Sequence, residues 1–335
     1  VADLARPAGD GVTERLDRFM ARANAAYYAT HDPFADFTTS PEITQVFGEI
    51  LGLWAAVTWR LLGSPAPVVL AEAGPGRGTL MRDALRAIAS VAPDFGAALS
   101  VHLVETSPRL REAQATLLPD ATWHARIDDL PGGPLLLLAN EFLDALPIRQ
   151  FVRRGDGWTE RFVGPGSFAE RPAELQSDLP AEEGAVVERC EAGLAIAAHL
   201  GARFAATRGA ALFLDYGPER SAAGDSLQAL RGAQPADPLA APGKADLTAH
   251  VDFSAFAAEA AGAAVHGPLA QGLFLTRLGL FQRTDRLART QPPARASALI
   301  EAARRLAEPD RMGRLFKALA LCHPGCPTPP GFEAA

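Results

Sequence analysis

Glu72-Ala73-Gly74-Pro75-Gly76-Arg77-Gly78 follows directly on the apolar run Pro67-Val68-Val69-Leu70-Ala71. A buried strand that ends in an acid and then three alternating glycines builds a nucleotide-binding turn. Glycine lets the chain turn with positive φ and brings backbone amides against a ligand where a Cβ would clash. Thr79 to Ile88 then carries apolar residues at helical spacing, so the turn opens a helix. Strand, glycine turn and helix make the first unit of a doubly wound sheet, with a ligand expected at the carboxyl ends of the strands.

The spacing narrows the ligand. Dinucleotide enzymes use G-x-G-x-x-G, whereas this chain has G-x-G-x-G with Glu72 two residues before the first glycine. That is the variant of adenosylmethionine-dependent methyltransferases, in which the acid can meet the ammonium of the methionyl end. The bland alternative is an ordinary strand-to-helix turn. Leu99 to Glu105 reads as a second strand ending in an acid, placed to accept both ribose hydroxyls. Pro134 to Ala139 is apolar on both faces, so it reads as a central parallel strand, and it empties into Asn140-Glu141-Phe142-Leu143-Asp144-Ala145-Leu146-Pro147. Ala210 to Gly217 is another buried strand with an acid, Asp215, near its end. Four strands deliver polar residues to one edge, and that edge is the expected site.

Seven blocks then line up with one family. Asp36-Phe37-Thr38-Thr39-Ser40-Pro41-Glu42-Ile43, Glu72 to Gly78, Val104 to Leu110 and Asn140 to Pro147 come first. Gly224 to Ala229, Ala245 to Phe253 and Met312 to Lys317 follow in the same order. Together they resemble the MidA-type methyltransferases, whose mitochondrial members serve assembly of respiratory complex I. The resemblance runs from about Tyr27 to Phe332. It implies an α/β fold, a Rossmann-like class I methyltransferase with an inserted α+β subdomain, and S-adenosyl-L-methionine as cofactor. It further implies protein arginine methylation, giving symmetric dimethylarginine in the mitochondrial branch, with a complex I 49-kDa-type subunit as the protein substrate. The chain departs from the family at Ala35, where a glycine is usual, and in the short segments Thr30 to Ala35 and Gly217 to Gly224.

Methyl transfer from a sulfonium depends on positioning more than on covalent help. A guanidinium acceptor adds a demand for carboxylates that orient a planar cation. Arginine methyltransferases of the seven-strand class carry an acid-containing loop after the fourth strand. By that analogy Glu141 grips the guanidinium and Asp144 assists; if the chain turns helically there, both carboxylates share a face. The alternative is that Asn140 and Glu141 only brace the loop. Glu72, Gly74, Gly76, Gly78, Glu105 and Asn140 are the expected cofactor residues. Thr39 and Ser40, with Thr38 and Glu42, form a capped helix start that can close over the cofactor. His250, Asp252, Asp225, Gln228, Tyr27 and Tyr28 are secondary candidates, each explained as well by packing or bracing. Two other classes stay open: a methyltransferase for another acceptor, because specificity resides in the insertions, and a non-catalytic assembly factor that binds the cofactor. A nicotinamide dehydrogenase would need a glycine at position 79, where the chain has Thr79.

At 335 residues and 48% apolar content the chain can bury a full core. The net charge of −7 argues against a general nucleic-acid binder. No apolar run approaches the ~20 residues of a membrane span, and no secretory signal is evident. A cytoplasmic setting is expected, with the mitochondrial matrix for eukaryotic relatives. Cys190, Cys322 and Cys326 make no disulfide framework. Cys322-His323-Pro324-Gly325-Cys326 lacks the second ligand cluster of a closed zinc site, so no metal is expected. The expected organisation is a helical region over 1–66, with a helix from Val12 to Ala29, and the first part of the core over 67–146. An inserted subdomain over 147–207 opens with a hairpin at Arg154-Gly155-Asp156-Gly157, continues through a turn-rich stretch from Pro165 to Pro180, and ends helically from Ala181. The second part of the core, with a further insertion, fills 208–335. Apolar insertion surface hints at a protein partner or a homodimer.

Overall fold

The computed structural model describes residues 13–31 and 38–334, so Ala35 and its neighbours lie outside the described residues. In chain order the strands are β1 (Glu14–Arg15), β2 (Val68–Ala73), β3 (Leu99–Val104), β4 (Thr122–His124), β5 (Leu135–Asn140), β6 (Arg149–Arg154), β7 (Gly157–Val163) and β8 (Phe168–Ala173). They continue with β9 (Val186–Arg189), β10 (Gly209–Tyr216), β11 (Gln228–Arg231), β12 (Gln234–Ala236), β13 (Asp246–Thr248), β14 (Ala264–Ala270) and β15 (Phe316–Cys322). Seven form one sheet in the order β14-β15-β10-β5-β2-β3-β4. From β10 to β4 the strands are parallel, and β15 runs antiparallel to both its neighbours. The order diverges outward from the β2–β5 pair, which puts the switch-point crevice at their carboxyl ends.

The central strands are apolar on both faces because each face meets a core. Leu70, Leu136, Leu138, Leu212 and Ala320 pack on one side with the helices Gln45–Leu61 and Thr79–Val91. Ala71, Leu137, Phe213 and Leu319 pack on the other with Ala197, Leu200 and Phe204 of the helix Glu191–Ala206. The first helix pair approaches closely at Gly52, where a Cβ would lie 2.6 Å from Ala84 Cα.

Between β5 and β10 the chain builds an antiparallel sheet, β1-β7-β6-β9, with β8 added on β7. Its hairpin turns at the predicted glycine, Gly155, with φ 52°. Two of its strands lie where the sequence suggested otherwise. β8 falls inside the turn-rich stretch as an edge strand whose Glu170, Arg171 and Pro172 are exposed, so no apolar alternation marks it. β9 precedes the expected helix. That helix packs on the main sheet, and the last strand of the inserted sheet ends at Arg189.

The described residues among the first 66 divide between two cores. The N-terminal helix runs Leu16–Thr30 and packs Leu16, Phe19, Met20 and Ala23 with Val163 of the insertion and with Ala229 and Leu247 of the small sheet β12-β11-β13. The helix start expected at Ser40 is a single turn, Ser40–Ile43, and Thr39 at its N-cap makes no side-chain cap bond. The long helix begins afresh at Gln45. Extended Thr44 caps it, its hydroxyl accepting from Val46 N at 3.3 Å.

Candidate active site

A cavity of about 830 Å³ lies at the carboxyl ends of β2, β3, β5 and β10. One end is walled by the glycine turn. Gly74, Gly76 and Gly78 stand at φ 66°, 54° and 83°, and a Cβ on Gly74 would meet Phe142 Cδ2 at 3.0 Å. Gly74 and Gly76 line the cavity; Gly78 is set back, capping the helix Thr79–Val91 against Leu118 and Gln114. Glu72 is buried on this wall. Burial, opposed by the Met81 N–H, pushes its carboxyl up to about 8, and its Oε2 has no hydrogen-bond partner.

Glu105 is held on two sides. Its Oε1 accepts from Ser107 N at 2.8 Å, and Gln114 Nε2 lies 3.3 Å from its Oε2 and 2.7 Å from Gly76 O. Trp123 Nε1 donates to Gln114 Oε1 at 2.8 Å. Burial raises the Glu105 carboxyl, and the Ser107 and Gln114 donors oppose it. Gln114 therefore locks the second strand's acid to the glycine turn. Sequence reasoning missed it. The signal was an amide four residues after Leu110 on the buried stripe of the helix Pro108–Leu117.

Past β5 the chain does not turn helically. Glu141 sits at φ 50°, a region a non-glycine residue holds only under constraint. Asp215, at the end of β10, supplies the constraint. Its Oδ2 accepts from Phe142 N at 3.1 Å, Leu143 N at 2.8 Å and Asp144 N at 3.2 Å. Burial pushes its own carboxyl up to about 7 against these donors. Glu141 and Asp144 thus reach the same cavity from a pinned loop rather than from one helical face.

Glu141 Oε1 accepts from Ser40 N at 2.8 Å and from Asn140 Nδ2 at 3.0 Å, and burial raises its carboxyl. Asn140 lines the cavity with an unpartnered Oδ1. Thr39 also lines it, as does Glu42, whose Oε1 accepts from Thr79 Oγ1 at 2.5 Å. Ser40 stands behind the wall; its contribution there is the main-chain bond to Glu141.

The opposite end is acidic. Asp144 is 7% exposed and its Oδ1 is unpartnered. Burial first, then the charges of Asp215, Asp246 and Glu141, hold its carboxyl well above the usual range, while the Tyr216 hydroxyl bond opposes them. Tyr28 Oη donates to Asp246 Oδ1 at 2.7 Å. Among the described residues the Arg305 charge opposes the rise at Glu141, and no cation acts in the same way on Glu72, Asp144 or Asp215. No histidine, lysine or cysteine lines the cavity among them either.

The helix Leu16–Thr30 touches both ends. Tyr28 O accepts from Ser107 Oγ at 2.9 Å and His31 O from Arg109 Nη2 at 2.6 Å. Asn24 Nδ2 donates to Ala145 O at 3.2 Å and Leu247 O at 2.8 Å, and its Oδ1 accepts from Leu247 N at 3.0 Å.

The other candidates separate. Tyr28 lines the cavity, and Tyr27 is buried in packing. Asp252 caps the helix Phe253–Glu259 through Ala255 N, and His250 is exposed, its ring against Tyr216. Asp225 accepts from Gln150 and Arg161, and Gln228 Nε2 donates to Tyr216 Oη at 3.1 Å. Among the described residues no His/Cys/Asp/Glu cluster could hold a metal, and no helix is long and apolar enough to cross a membrane.

Residues 50–269 match a family model described as "Putative S-adenosyl-L-methionine-dependent methyltransferase". The chain is 35% identical over 346 residues to the mitochondrial protein arginine methyltransferase NDUFAF7 of Danio rerio, covering 91% of this chain and 82% of that protein. To the Homo sapiens protein of the same name it is 33% identical over 353 residues, covering 92% and 79%. Among solved structures it resembles a Burkholderia thailandensis protein bound to S-adenosyl-homocysteine, with a TM-score of 0.79 at 26% identity over 97% of this chain and 91% of that one. The sheet order and the glycine turn agree with that likeness. The chain belongs to the MidA-type family of S-adenosylmethionine-dependent methyltransferases.

Proposed function

We propose that the chain methylates arginine side chains of a partner protein, with a 49-kDa-type subunit of a complex I-like enzyme as the substrate and the cytoplasm as its setting. The observation that carries the reading is the pair Glu141 and Asp144, two buried carboxyls on the lining of the cavity that the glycine turn also lines. Burial disfavours the ionised form of both, and a cationic acceptor would favour it, which a neutral one would not. The names of the relatives supply the arginine, and the resemblance of the seven sequence blocks supplies the complex I context.

The residues at the glycine-turn end fit the cofactor. Glu72 presents an unpartnered buried oxygen for the ammonium, Gly74 and Gly76 leave room for close backbone approach, and Glu105 faces the ribose side. Asn140 Oδ1 and the Thr39 turn complete that wall. S-adenosylmethionine, when bound, supplies a methyl group on a positively charged sulfur. The chain's own part is to hold the acceptor nitrogen in line and exclude water. Glu141, fixed by Ser40 N and Asn140, grips the guanidinium. An arginine that gains a methyl and stays cationic sheds one N–H proton. With no histidine, lysine or cysteine among the described lining residues, Glu141 and Asp144 are the groups placed to receive it.

The test incubates the protein with methyl-labelled S-adenosylmethionine and the 49-kDa-type subunit, then identifies labelled arginine after hydrolysis. Symmetric dimethylarginine is expected, lost in Glu141→Gln while S-adenosylhomocysteine still binds. No label in a sample that binds cofactor would reject this acceptor; undiminished transfer by Glu141→Gln would reject the role of that residue.

A further inference from the structure

A second cavity, of about 880 Å³, lies against the first and shares none of its described lining residues. Phe142 and Asp144 line the first and Leu143 the second; Ala192 and Ala195 line the first, Gly193 and Leu194 the second. Tyr216 and Gly217, then Thr248 and Ala249, divide in the same way. One wall of shared chain segments thus separates two chambers, and the methyl-transfer chemistry uses only the first. Ser226, Val251 and Lys317, from three of the seven sequence blocks, line the second.

Much of this lining is apolar, including Ile148, Val187, Leu194 and Phe256. Lys317, near the start of β15, is 5% exposed. Its Nζ donates to Arg314 O and to Leu315 O at 3.2 Å, both neutral acceptors, and among the described residues it makes no ion pair. An ammonium carries three donors, so one is left over. Burial pulls this ammonium below its ordinary value; the Glu219 charge opposes that and the Arg314 charge adds to it. Arg314 also lines the cavity, exposed, and among the described residues its side chain has no hydrogen bond or ion pair.

The other charges on the lining are answered. Glu188 Oε1 accepts from Gln150 Nε2 at 2.7 Å and Ser226 N at 3.0 Å. Asp252 Oδ1 accepts from Ser221 Oγ at 2.8 Å and Ala255 N at 2.9 Å, and Arg189 Nε lies 3.3 Å from Glu191. Asp178 and Glu259 are exposed to water. A buried ammonium without a counter-charge is costly, and a carboxylate that displaced water beside it would relieve the cost. The volume falls within the roughly 300–1,000 Å³ of small-molecule sites, whose usual make-up is an apolar lining with a few polar groups.

We propose that the second cavity binds a small apolar carboxylic acid, its hydrocarbon body taken by the aliphatic and aromatic lining and its carboxylate by Lys317, with Arg314 beside it. The site needs only the fold and is independent of the acceptor of methyl transfer.

The full chain, saturated with S-adenosylhomocysteine to occupy the first cavity, is titrated calorimetrically with octanoate, octanol, octylammonium and an acetyl-leucyl-leucyl-aspartyl amide peptide. Octanoate is expected to bind about 10-fold tighter than octanol, and octylammonium not detectably. Lys317→Met is expected to weaken octanoate by about 10-fold and bring it level with octanol. S-adenosylhomocysteine affinity, which reports an intact fold, should stay at the parent value. Arg314→Gln alters an exposed side chain without partners; it should weaken octanoate by about 3-fold, and it decides the matter if Lys317→Met does not fold. A parent that binds octanoate no better than octanol, or variants that both bind it as the parent does, would overturn the proposal. A peptide bound more tightly than octanoate would overturn the small-molecule assignment and make the cavity a docking site for polypeptide.

Discussion

At the glycine-turn end of the cavity, Glu72, Gly74, Gly76 and Glu105 come from two consecutive strand–turn units, each at the tip of a central strand. At the acidic end, Tyr28, Asp144, Tyr216 and Asp246 come from a helix, a loop and two strands of different sheets. The first end is a local product of the fold and rests on positive φ and close approach. The second is assembled by long-range bonds through Asn24, Asp215 and Tyr28. A rigid ready-made binding turn has been joined to an acceptor end that exists only when several insertions dock together.

The comparison can be broken most severely at Asp215. Asp215→Ala strips the common acceptor from three loop N–H groups, so methyl transfer is expected to fall about 100-fold and stability by about 2–4 kcal/mol. Steady-state kinetics and urea unfolding measure both; a stable, fully active variant would show that the loop holds itself. Gly74→Ala attacks the other end, placing a Cβ at φ 66° and 3.0 Å from Phe142. Cofactor affinity is expected to drop about 10-fold or more, with a stability loss of about 1 kcal/mol. Calorimetry with S-adenosylhomocysteine reads the first and thermal unfolding the second. Gln114→Leu keeps the buried volume and removes three hydrogen bonds, so cofactor affinity should fall about 5-fold. Binding of a guanidinium probe by the cofactor-loaded variant should stay intact, and a loss there would mean that the two ends are not independent.

The gentlest test uses pH. With its carboxyl raised to about 8, Glu72 in the folded free protein keeps a proton that the unfolded chain gives up near pH 4.5. Its burial therefore costs nothing below about pH 4.5, and stability falls as pH rises from there through about 8. A cofactor ammonium beside Glu72 would favour the ionised form. Binding at pH 7 is then expected to release close to one proton, read by calorimetry in buffers of different ionisation enthalpy. Glu72→Gln should abolish that release, and a release that persists in the variant would assign the proton to another group.

Much of the sheet was legible because its central strands are apolar on both faces and end in acids or glycines, as at Ala71-Glu72 and Val104-Glu105. The glycine-turn end was legible for the same reason, since its chemistry is contiguous in sequence. The acidic end was legible only in Glu141 and Asp144, and even there the geometry differed. A left-handed Glu141 enforced by Asp215 cannot be read from spacing, because the constraint comes from a strand laid down after the whole inserted sheet. Strand β8 was hidden for the opposite reason: an exposed edge needs no apolar pattern. Gln114 and Asp246 look like ordinary polar residues until burial shows that they cannot be solvated.

Tyr28 is hydrogen-bonded twice, by its side chain to Asp246 and by its carbonyl to Ser107, the residue whose amide holds Glu105. One residue of one helix thus latches both doors of the chamber. A change at that residue would therefore be felt by the ribose-side acid and by the acceptor-side acid together, although the two come from distant parts of the chain.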